Sequence, residues 1–563
     1  MGATNMSEMP FAGLVRWIRH NALKVTMPRV CAALLLAIAG LVYIPYLRNP
    51  MVFDDFNVIG SMGFLDYAFD FRIGPRWLPY ATLAHTYALT DGDIFVMRLG
   101  NLVLHALNAV MVFVLLREIF FATVDIDRGE TERASNTLIP AMLAAVVFAA
   151  HPVAVYGAGY LVQRTALMST MFMLLMLITY WRWLITGRRA MWVWSAVWYL
   201  LSVFSKEHSV MAPAVALFMT LLLYRPSMAL ARRLAVPFVA YLIIAALVIS
   251  MVKGVLGAAY EPYAREMLGL PLEPDDARLR AAYLMSVITQ SFLYFKYVFL
   301  WVFPNTEWMS IDLRELLATS LLSWPYGSFA LVFMSYPLLA LGMVLRGGRM
   351  GVAGWVLAFP WLMFATELST IRVQEPFVLY RAYLWCPVMG ALLALALYRV
   401  NPRILAAVCI LVVCVLVPLS WNRLHTMSDK LLLWDDAVKL LVTGNESGAG
   451  RIFYNRALAL SEKGRHADAE ADLDRVIILH PKLAPVYFAR AKARFDLARH
   501  AEAKLDLDSA IALNPNAASY YFARAITLTR MGRNEQATPD FQKSCELKDP
   551  VACYAMAQRH KSE

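Results

Sequence analysis

Charged side chains are scarce in this chain. Only 17% of its 563 residues are Asp, Glu, Lys or Arg, whereas 60% are hydrophobic. A soluble globular protein would carry about 25% charged and about 45–50% apolar residues. This composition excludes an array of compact water-soluble domains, and most of the chain is predicted to lie in a membrane.

Cysteine is also rare, and six residues in a chain of this length exclude a disulfide scaffold. The sequence contains no Cys-x-x-Cys motif and no Cys/His grouping that suggests zinc. Cys545 and Cys553 could pair in an oxidising compartment, although their spacing alone leaves this open. Lys and Arg outnumber Asp and Glu by 52 to 41, but they form short clusters between apolar runs. That distribution is typical of membrane loops, so no nucleic-acid partner is expected.

The apolar runs between residues 31 and 420 predict an all-α polytopic membrane domain with about eleven spans. Residues 1–30 form a basic segment before the first run, and they are predicted to be cytoplasmic. Segment 281–303 is apolar enough to span, yet it carries several polar side chains. The positive-inside rule favours an interfacial or re-entrant helix there, and the C-terminus then lies on the outer face. The outer-face loops on this interpretation are 48–93, 257–320 and 367–381.

The chain after residue 420 contains an internal repeat. The five residues at 453–457 align with those at 487–491 and at 521–525, a spacing of 34 residues that occurs twice. This spacing is typical of tetratricopeptide (TPR) repeats. We therefore predict a TPR α-solenoid of about three repeats at 451–563, after a linker helix at 421–450. Its concave surface would bind a protein partner, and the alternative is a packing platform for the membrane part.

Charged residues at the outer ends of the spans are the candidate functional residues, because charge in a membrane is costly. Asp54 and Asp55 could supply a general base and an orienting group, or hold a divalent cation. For an isolated Asp-Asp pair, a solvated turn is the alternative interpretation. Further polar residues follow on the same predicted face: Arg76, Gln163, Arg164, Lys206, Glu207, His208, Tyr380, Arg381 and Tyr383. Arginine and lysine at this level suit a lipid-linked phosphate, although any single one could simply extend towards the membrane surface.

The order of these motifs resembles that of GT-C glycosyltransferases. Its landmarks are Asp54-Asp55, Gly-Pro-Arg-Trp-Leu at 74–78, the Arg98 to Leu107 run, His151-Pro152, Gln-Arg-Thr-Ala-Leu at 163–167 and Ser-Lys-Glu at 205–207. The most similar branch is the transmembrane-and-TPR (TMTC-type) protein O-mannosyltransferases with their bacterial relatives. The resemblance implies sugar transfer from a polyprenyl or dolichyl phosphate carrier, with Asp54 or Asp55 as the catalytic acid and Arg164 and Lys206 near the donor phosphate. In one departure, Gln-Arg-Thr-Ala replaces the family's Gly-Arg-Ala-Asp, so an expected acid is absent.

Together these features predict a glycosyltransferase of a bacterial inner membrane with a periplasmic TPR domain. Asp54 or Asp55 would accept the proton of the acceptor, while Glu207 and Gln163 would orient neighbouring groups. The donor phosphate and its lipid carrier would be bound by Arg164, Lys206, Arg381, Arg76, His208, Tyr380 and Tyr383. The expected partners are the polyprenyl-phosphate-linked sugar donor, membrane lipid and a protein acceptor, and a divalent cation is an option but no requirement. The alternatives are a lipid-linked oligosaccharide ligase of the pilin or O-antigen type and a non-catalytic membrane-anchored TPR assembly factor.

Overall fold

The protein is described by a computed structural model that covers residues 26–61, 63–70, 74–124, 130–252, 276–372 and 375–562. Every regular element in these ranges is a helix, which confirms the all-α prediction. The chain divides into two compact units. The membrane unit comprises the described residues up to Ile311 together with Leu317–Ser428, and the repeat unit comprises Asp312–Leu316 and the chain from Asp429. Most of the predicted cytoplasmic segment, and residues 257–275 of an outer loop, lie outside the described residues.

The membrane unit has seventeen α-helices in its described part. They are α1 (Thr26–Tyr43), α2 (Asp54–Ile59), α3 (Asp66–Phe69), α4 (Trp77–Thr90), α5 (Ile94–Thr123), α6 (Glu130–Ala150), α7 (Pro152–Ala158), α8 (Arg164–Thr186), α9 (Arg189–Ser205), α10 (Ala212–Thr220), α11 (Met228–Val252), α12 (Asp276–Val302), α13 (Tyr326–Arg346), α14 (Gly348–Phe364), α15 (Ala382–Trp385), α16 (Gly390–Ala396) and α17 (Pro402–Thr426). Local signals fix several of their ends. Asp93 caps α5 by accepting a hydrogen bond from the Phe95 N–H, and Gly187 ends α8 in the left-handed conformation.

Eight helices among the described residues are long and apolar enough to cross a membrane, and two bent helix pairs could each form one more span. The sequence predicted about eleven. The numbers differ because α9 has 17 residues and α10 only 9, so both are shorter than the roughly 20 residues of a typical crossing. Conversely, α12 has 27 residues and is long and apolar enough to cross a membrane. Length and composition therefore give no support to the interfacial interpretation of 281–303.

The polar side chains of α12 are used inside the membrane unit. Gln290 donates a hydrogen bond to the Pro376 carbonyl at 2.8 Å, and Ser286 accepts one from the Arg372 N–H at 2.9 Å. Thr289 accepts another from a backbone N–H at 2.9 Å. These three side chains thus satisfy backbone groups of irregular segments packed against α12, which explains why an apolar helix retains them.

Two breaks in the helical path bring polar residues to one end of the unit. Helices α6 and α7 are bent by 61° at His151, whose side chain accepts a hydrogen bond from the Val153 N–H. The second bent pair consists of Leu379–Trp385 and Gly390–Ala396, with an angle of 55°. Each break interrupts the hydrogen-bond ladder of a helix. Residues of the candidate site lie just beyond α7 and just before α15.

The repeat unit contains eight helices in its described part, namely α18 (Lys430–Lys439), α19 (Ala449–Glu462), α20 (His466–Leu479), α21 (Ala484–Asp496), α22 (His500–Leu513), α23 (Ala518–Arg530), α24 (Asn534–Glu546) and α25 (Pro550–Ser562). Helices α19 to α24 form three antiparallel pairs with the 34-residue period of the sequence. Small residues such as Ala457, Ala469 and Ala503 are fully buried where the helices pack. The prediction of a TPR solenoid with about three repeats is confirmed.

One arginine and one aspartate recur in each repeat and bind each other. Arg490 donates to both carboxylate oxygens of Asp506, at 3.0 and 2.6 Å, and also to Asp474 at 2.6 Å. The same arrangement joins Arg456 to Asp472 and Arg524 to Asp540. Because each arginine also reaches an aspartate of the preceding helices, these pairs connect neighbouring parts of the solenoid.

The repeat unit includes a short segment from far upstream in the chain. Asp312 lies within this segment, fully buried, and it binds Arg314 at 2.7 Å and Arg451 of α19 at 2.9 Å. The predicted linker 421–450 is divided, because its first residues belong to α17 and the chain from Asp429 belongs to the repeat unit. Cys545 and Cys553 form a disulfide between α24 and α25.

Candidate functional site

The first part of the site is the Asp54-Asp55 pair at the start of α2. Phe53, immediately before it, has φ of +50°, which is a strained backbone conformation for a non-glycine residue. Arg76, which precedes α4, also lies in the left-handed region with φ of +62°. Such strain is concentrated at functional sites, because the surrounding structure must hold it in place.

The two aspartates have different environments. The side chain of Asp55 is fully buried, and its two carboxylate oxygens accept hydrogen bonds from the Val52 and Val162 N–H groups at 3.1 and 3.0 Å. Burial raises the pKa of Asp55 to about 6, although the nearby Arg98 guanidinium opposes this shift. Asp54 is only partly buried, and its backbone N–H donates to the Tyr160 hydroxyl at 2.6 Å. Asp55 therefore anchors the loop, while Asp54 has the more accessible carboxylate.

Arg98 holds the loop that carries Asp54 and Asp55 in place. Its guanidinium donates to the Asn49 and Pro50 carbonyls at 3.1 and 2.6 Å, and also to the Gly159 carbonyl. A single buried arginine of α5 thus connects the chain after α1 with the chain after α7. Neither Arg98 nor Tyr160 was among the predicted site residues, since both act through contacts with residues at least 48 positions away in the sequence.

Lys206 occupies the centre of the second part of the site. It is 5% exposed and donates a hydrogen bond to Gln163 at 3.1 Å, and its ammonium lies 5.1 Å from the centre of the Tyr380 ring. No carboxylate of the described residues lies within ion-pairing distance of Lys206. Burial, reinforced by the positive charge of Arg76, lowers its pKa to about 7. The Tyr380 ring in turn packs edge-on against Tyr160, which links Lys206 to the Asp54 loop.

Two glutamates organise the remaining charges. Glu207 accepts two hydrogen bonds from Arg76, and His208 lies 3.4 Å from it. The other imidazole nitrogen of His208 is 2.9 Å from Glu367, whose side chain is fully buried. Burial alone would raise the pKa of Glu207, but Arg76 and His208 outweigh it and hold the pKa well below its usual range. His208 therefore bridges two carboxylates.

Glu367 also receives two arginines. Arg381 approaches it at 3.1 Å and Arg372 at 3.3 Å, and Arg381 additionally contacts Glu375 at 3.7 Å. Tyr380 donates to the same Glu375 carboxylate at 3.4 Å. Glu367 and Arg372 were recognised in the sequence only as part of a charged outer loop, because their pairing depends on how that loop folds.

Two predicted residues have their contacts elsewhere in the unit. Arg164 donates to Asn101, to the Met97 carbonyl and to Thr86, so its guanidinium is fully engaged by α4 and α5. Tyr383 is fully buried, and its hydroxyl lies 2.8 Å from His105 and accepts a hydrogen bond from Asn108. These contacts support the packing of helices, and they involve none of the charged residues around Lys206.

The described part of the chain contains no set of side chains arranged to bind a metal ion. No group of three or more His, Cys, Asp or Glu residues there is arranged to hold one. Each of the two Asp55 oxygens accepts a backbone N–H group, so this carboxylate already has partners within the protein. The divalent cation considered for Asp54 and Asp55 therefore receives no support from the geometry.

Comparison with known proteins relates the chain to solved TPR structures. No family model matches the sequence, and no curated protein matches it either. The first TPR domain of Spaghetti (RPAP3), solved with an HSP90 peptide, is 20% identical and matches 20% of this chain and 91% of its own, with a TM-score of 0.20. A crystal structure of MamA is 21% identical and matches 21% of this chain and 66% of its own, with the same TM-score. MamA AMB-1 is 23% identical, with 23% and 78% of the two chains matched and a TM-score of 0.20. With TM-scores of 0.20 these similarities carry no argument about function, and the GT-C resemblance of the membrane unit stays a prediction.

Proposed function

We propose that the chain is an integral-membrane glycosyltransferase of the GT-C type. It would move a sugar from a polyprenyl-phosphate-linked donor to a protein hydroxyl on the periplasmic face of a bacterial inner membrane. The observation that carries this proposal is Lys206, a buried cation with no carboxylate partner among the described residues, joined through Tyr380 and Tyr160 to the partly exposed Asp54. A buried unpaired charge is costly, and an anionic ligand would relieve that cost.

In the proposed reaction, Asp54 is the general base and Lys206 binds the anionic phosphate. The acceptor hydroxyl attacks the anomeric carbon of the sugar, its proton passes to Asp54, and the bond between the sugar and the carrier phosphate breaks. Lys206 stabilises the departing phosphate, with Arg381 and Arg76 as further cations in the same network. A phosphate needs no proton to leave near neutral pH, so cations can replace a general acid. Asp55, whose oxygens are occupied, holds the loop that carries Asp54.

Substitution of Asp54 tests the proposal. Asp54→Asn keeps the size of the side chain but removes the base, and we expect transfer from polyprenyl-phosphate-linked mannose, with a second hexose assayed in parallel, to fall by about 10²–10⁴-fold. Asp91→Asn is the matched control, because Asp91 is an exposed residue of the same predicted loop and Asn readily adopts its positive φ. Full activity of Asp54→Asn, or equal loss in the control, would contradict the assignment.

The disulfide between Cys545 and Cys553 supports the periplasmic location of the repeat unit. Disulfides persist in oxidising compartments and are rare in the cytosol. In this arrangement the repeat unit lies on the same side as the outer-face charges, where its concave surface could select a protein acceptor.

An assembly factor without catalytic activity is the second candidate, and the repeat unit is the observation that favours it. In that case the membrane unit is an anchor, so Asp54→Asn and Lys206→Gln would leave the cellular phenotype unchanged. Substitutions on the concave face of the solenoid would abolish it. The same set of variants thus separates the two functions.

A further inference from the structure

A cavity lies at the opposite end of the membrane unit from Asp54. Its volume is about 500 Å³, and it is bordered by the beginning of α1, the last turns of α5 and the end of α8. Arg98 and Arg164 occupy the other ends of α5 and α8 and belong to the surroundings of the Asp54 loop. The cavity is thus on the face that the basic clusters predict to be cytoplasmic, and the proposed reaction does not use it.

The rim of this cavity is strongly basic. Arg29, Arg117, Arg182 and Arg188 contribute to the lining, and Glu118 is the single acid among the lining residues. Arg182 binds Glu118 through two nitrogens, at 3.0 and 2.6 Å, so that carboxylate is already neutralised by one arginine. Four cations against one acid leave a net charge of +3.

Apart from Thr186, the rest of the lining is apolar. Val110, Phe113 and Val114 of α5 line it together with Ala32 of α1 and Ile185 of α8. A purely ionic ligand, such as free phosphate, would bind the arginines of the rim but would make no contact with these apolar side chains. A ligand with an anionic head and a hydrocarbon tail satisfies both parts, because the charged rim lies at the level of lipid headgroups and the apolar wall continues into the bilayer.

We propose that this cavity binds an anionic phospholipid. The headgroup phosphate contacts Arg29, Arg117 and Arg188, and one acyl chain lies against Val110 and Val114. The charge of the rim selects anionic over zwitterionic headgroups, since an arginine guanidinium binds phosphate oxygens with charge-assisted hydrogen bonds. The site is separate from the proposed donor site in position, residues and membrane face.

The test is lipid binding by the full chain in detergent, measured by native mass spectrometry with phosphatidylglycerol and with phosphatidylcholine. The cavity variant replaces Arg29, Arg117 and Arg188 by Gln, and we expect its affinity for phosphatidylglycerol to fall about tenfold or more. The matched control is Arg346→Gln with Arg349→Gln, which removes charge from the same predicted face but from residues that do not line the cavity. It should bind like the wild type.

A second variant keeps the charged residues of the cavity and fills part of the cavity volume with a larger side chain. Val114→Trp should weaken phosphatidylglycerol binding while the rim remains intact, which guards against a charge variant that simply misfolds. The proposal is overturned if phosphatidylglycerol and phosphatidylcholine bind the wild type equally, or if both cavity variants bind as the wild type does. It is equally overturned if inorganic phosphate at millimolar concentration displaces the lipid fully, because the site would then recognise phosphate alone.

Discussion

At the scale of single residues, adjacent positions in the sequence have different roles. Asp54 and Asp55 could be recognised as a pair in the sequence, but not distinguished, because the difference comes from Val162 more than a hundred positions away. The same limit applies to Tyr160, which no local pattern marks as part of the site. The residue types of the site were visible in the sequence, whereas burial and partners depend on the folded loops.

Asp55→Asn should act on stability. The amide nitrogen of Asn is a donor, so it would face either the Val52 or the Val162 N–H without an acceptor, at a cost of about 1–3 kcal/mol. Thermal unfolding in detergent measures this loss, and Asp54→Asn is the comparison. If Asp55→Asn unfolds at the wild-type temperature while Asp54→Asn is destabilised, the two roles are reversed.

Lys206 should make donor binding depend on pH. Its pKa near 7 means that the ammonium is present below about pH 7 and is lost as the pH rises through that value. A bound phosphate stabilises the charged form, so in the complex the loss occurs at higher pH. We expect the affinity for polyprenyl-phosphate-linked mannose to fall from about pH 6.5 to pH 8.5 in the wild type. The Lys206→Arg variant keeps its charge and should show a flatter profile; identical profiles would exclude Lys206 as the titrating group.

At the scale of helices, the sequence predicted the features that depend on contacts between residues close together along the chain. The register of the solenoid follows from a 34-residue period, since each repeat packs mainly on the next one. Apolar length predicted most of the helices that are long and apolar enough to cross a membrane. Apolar length alone does not decide α12, which is long and apolar enough to cross, whereas the basic clusters favour an interfacial position, and that position stays a prediction.

The recurring Arg–Asp pairs should stabilise the solenoid through their paired geometry. Arg490→Lys keeps the charge but cannot bind both oxygens of Asp506 and reach Asp474, so we expect a loss of about 1–2 kcal/mol. Hydrogen exchange of α21 and α22 in the full chain should report faster opening. Arg475→Lys is the control, because Arg475 makes only longer contacts with neutral acceptors. Equal exchange in both variants would show that charge alone suffices.

At the scale of the whole molecule, the disulfide allows the location of the repeat unit to be measured. If residues 429–563 are periplasmic, Cys545 and Cys553 should resist maleimide labelling in protein isolated from membranes without reductant. Under denaturing conditions four thiols should react before reduction and all six after it, and Cys553→Ser should abolish that difference. Labelling of both thiols before reduction would indicate a cytoplasmic repeat unit, and the outer-face site would then lose its topological basis.

Residues 312–316 have a consequence for how the chain is made. They belong to the same compact unit as the chain from Asp429, so both lie on one side of the membrane, and the chain between them crosses it an even number of times. Three single helices and one bent pair in the described part of that stretch are long and apolar enough to cross a membrane, and four crossings would satisfy this condition. During synthesis, Asp312 emerges long before Arg451, its partner in α19. The repeat unit is therefore completed only when a segment translated much earlier joins it, and with the proposed topology four membrane insertions would come between the two.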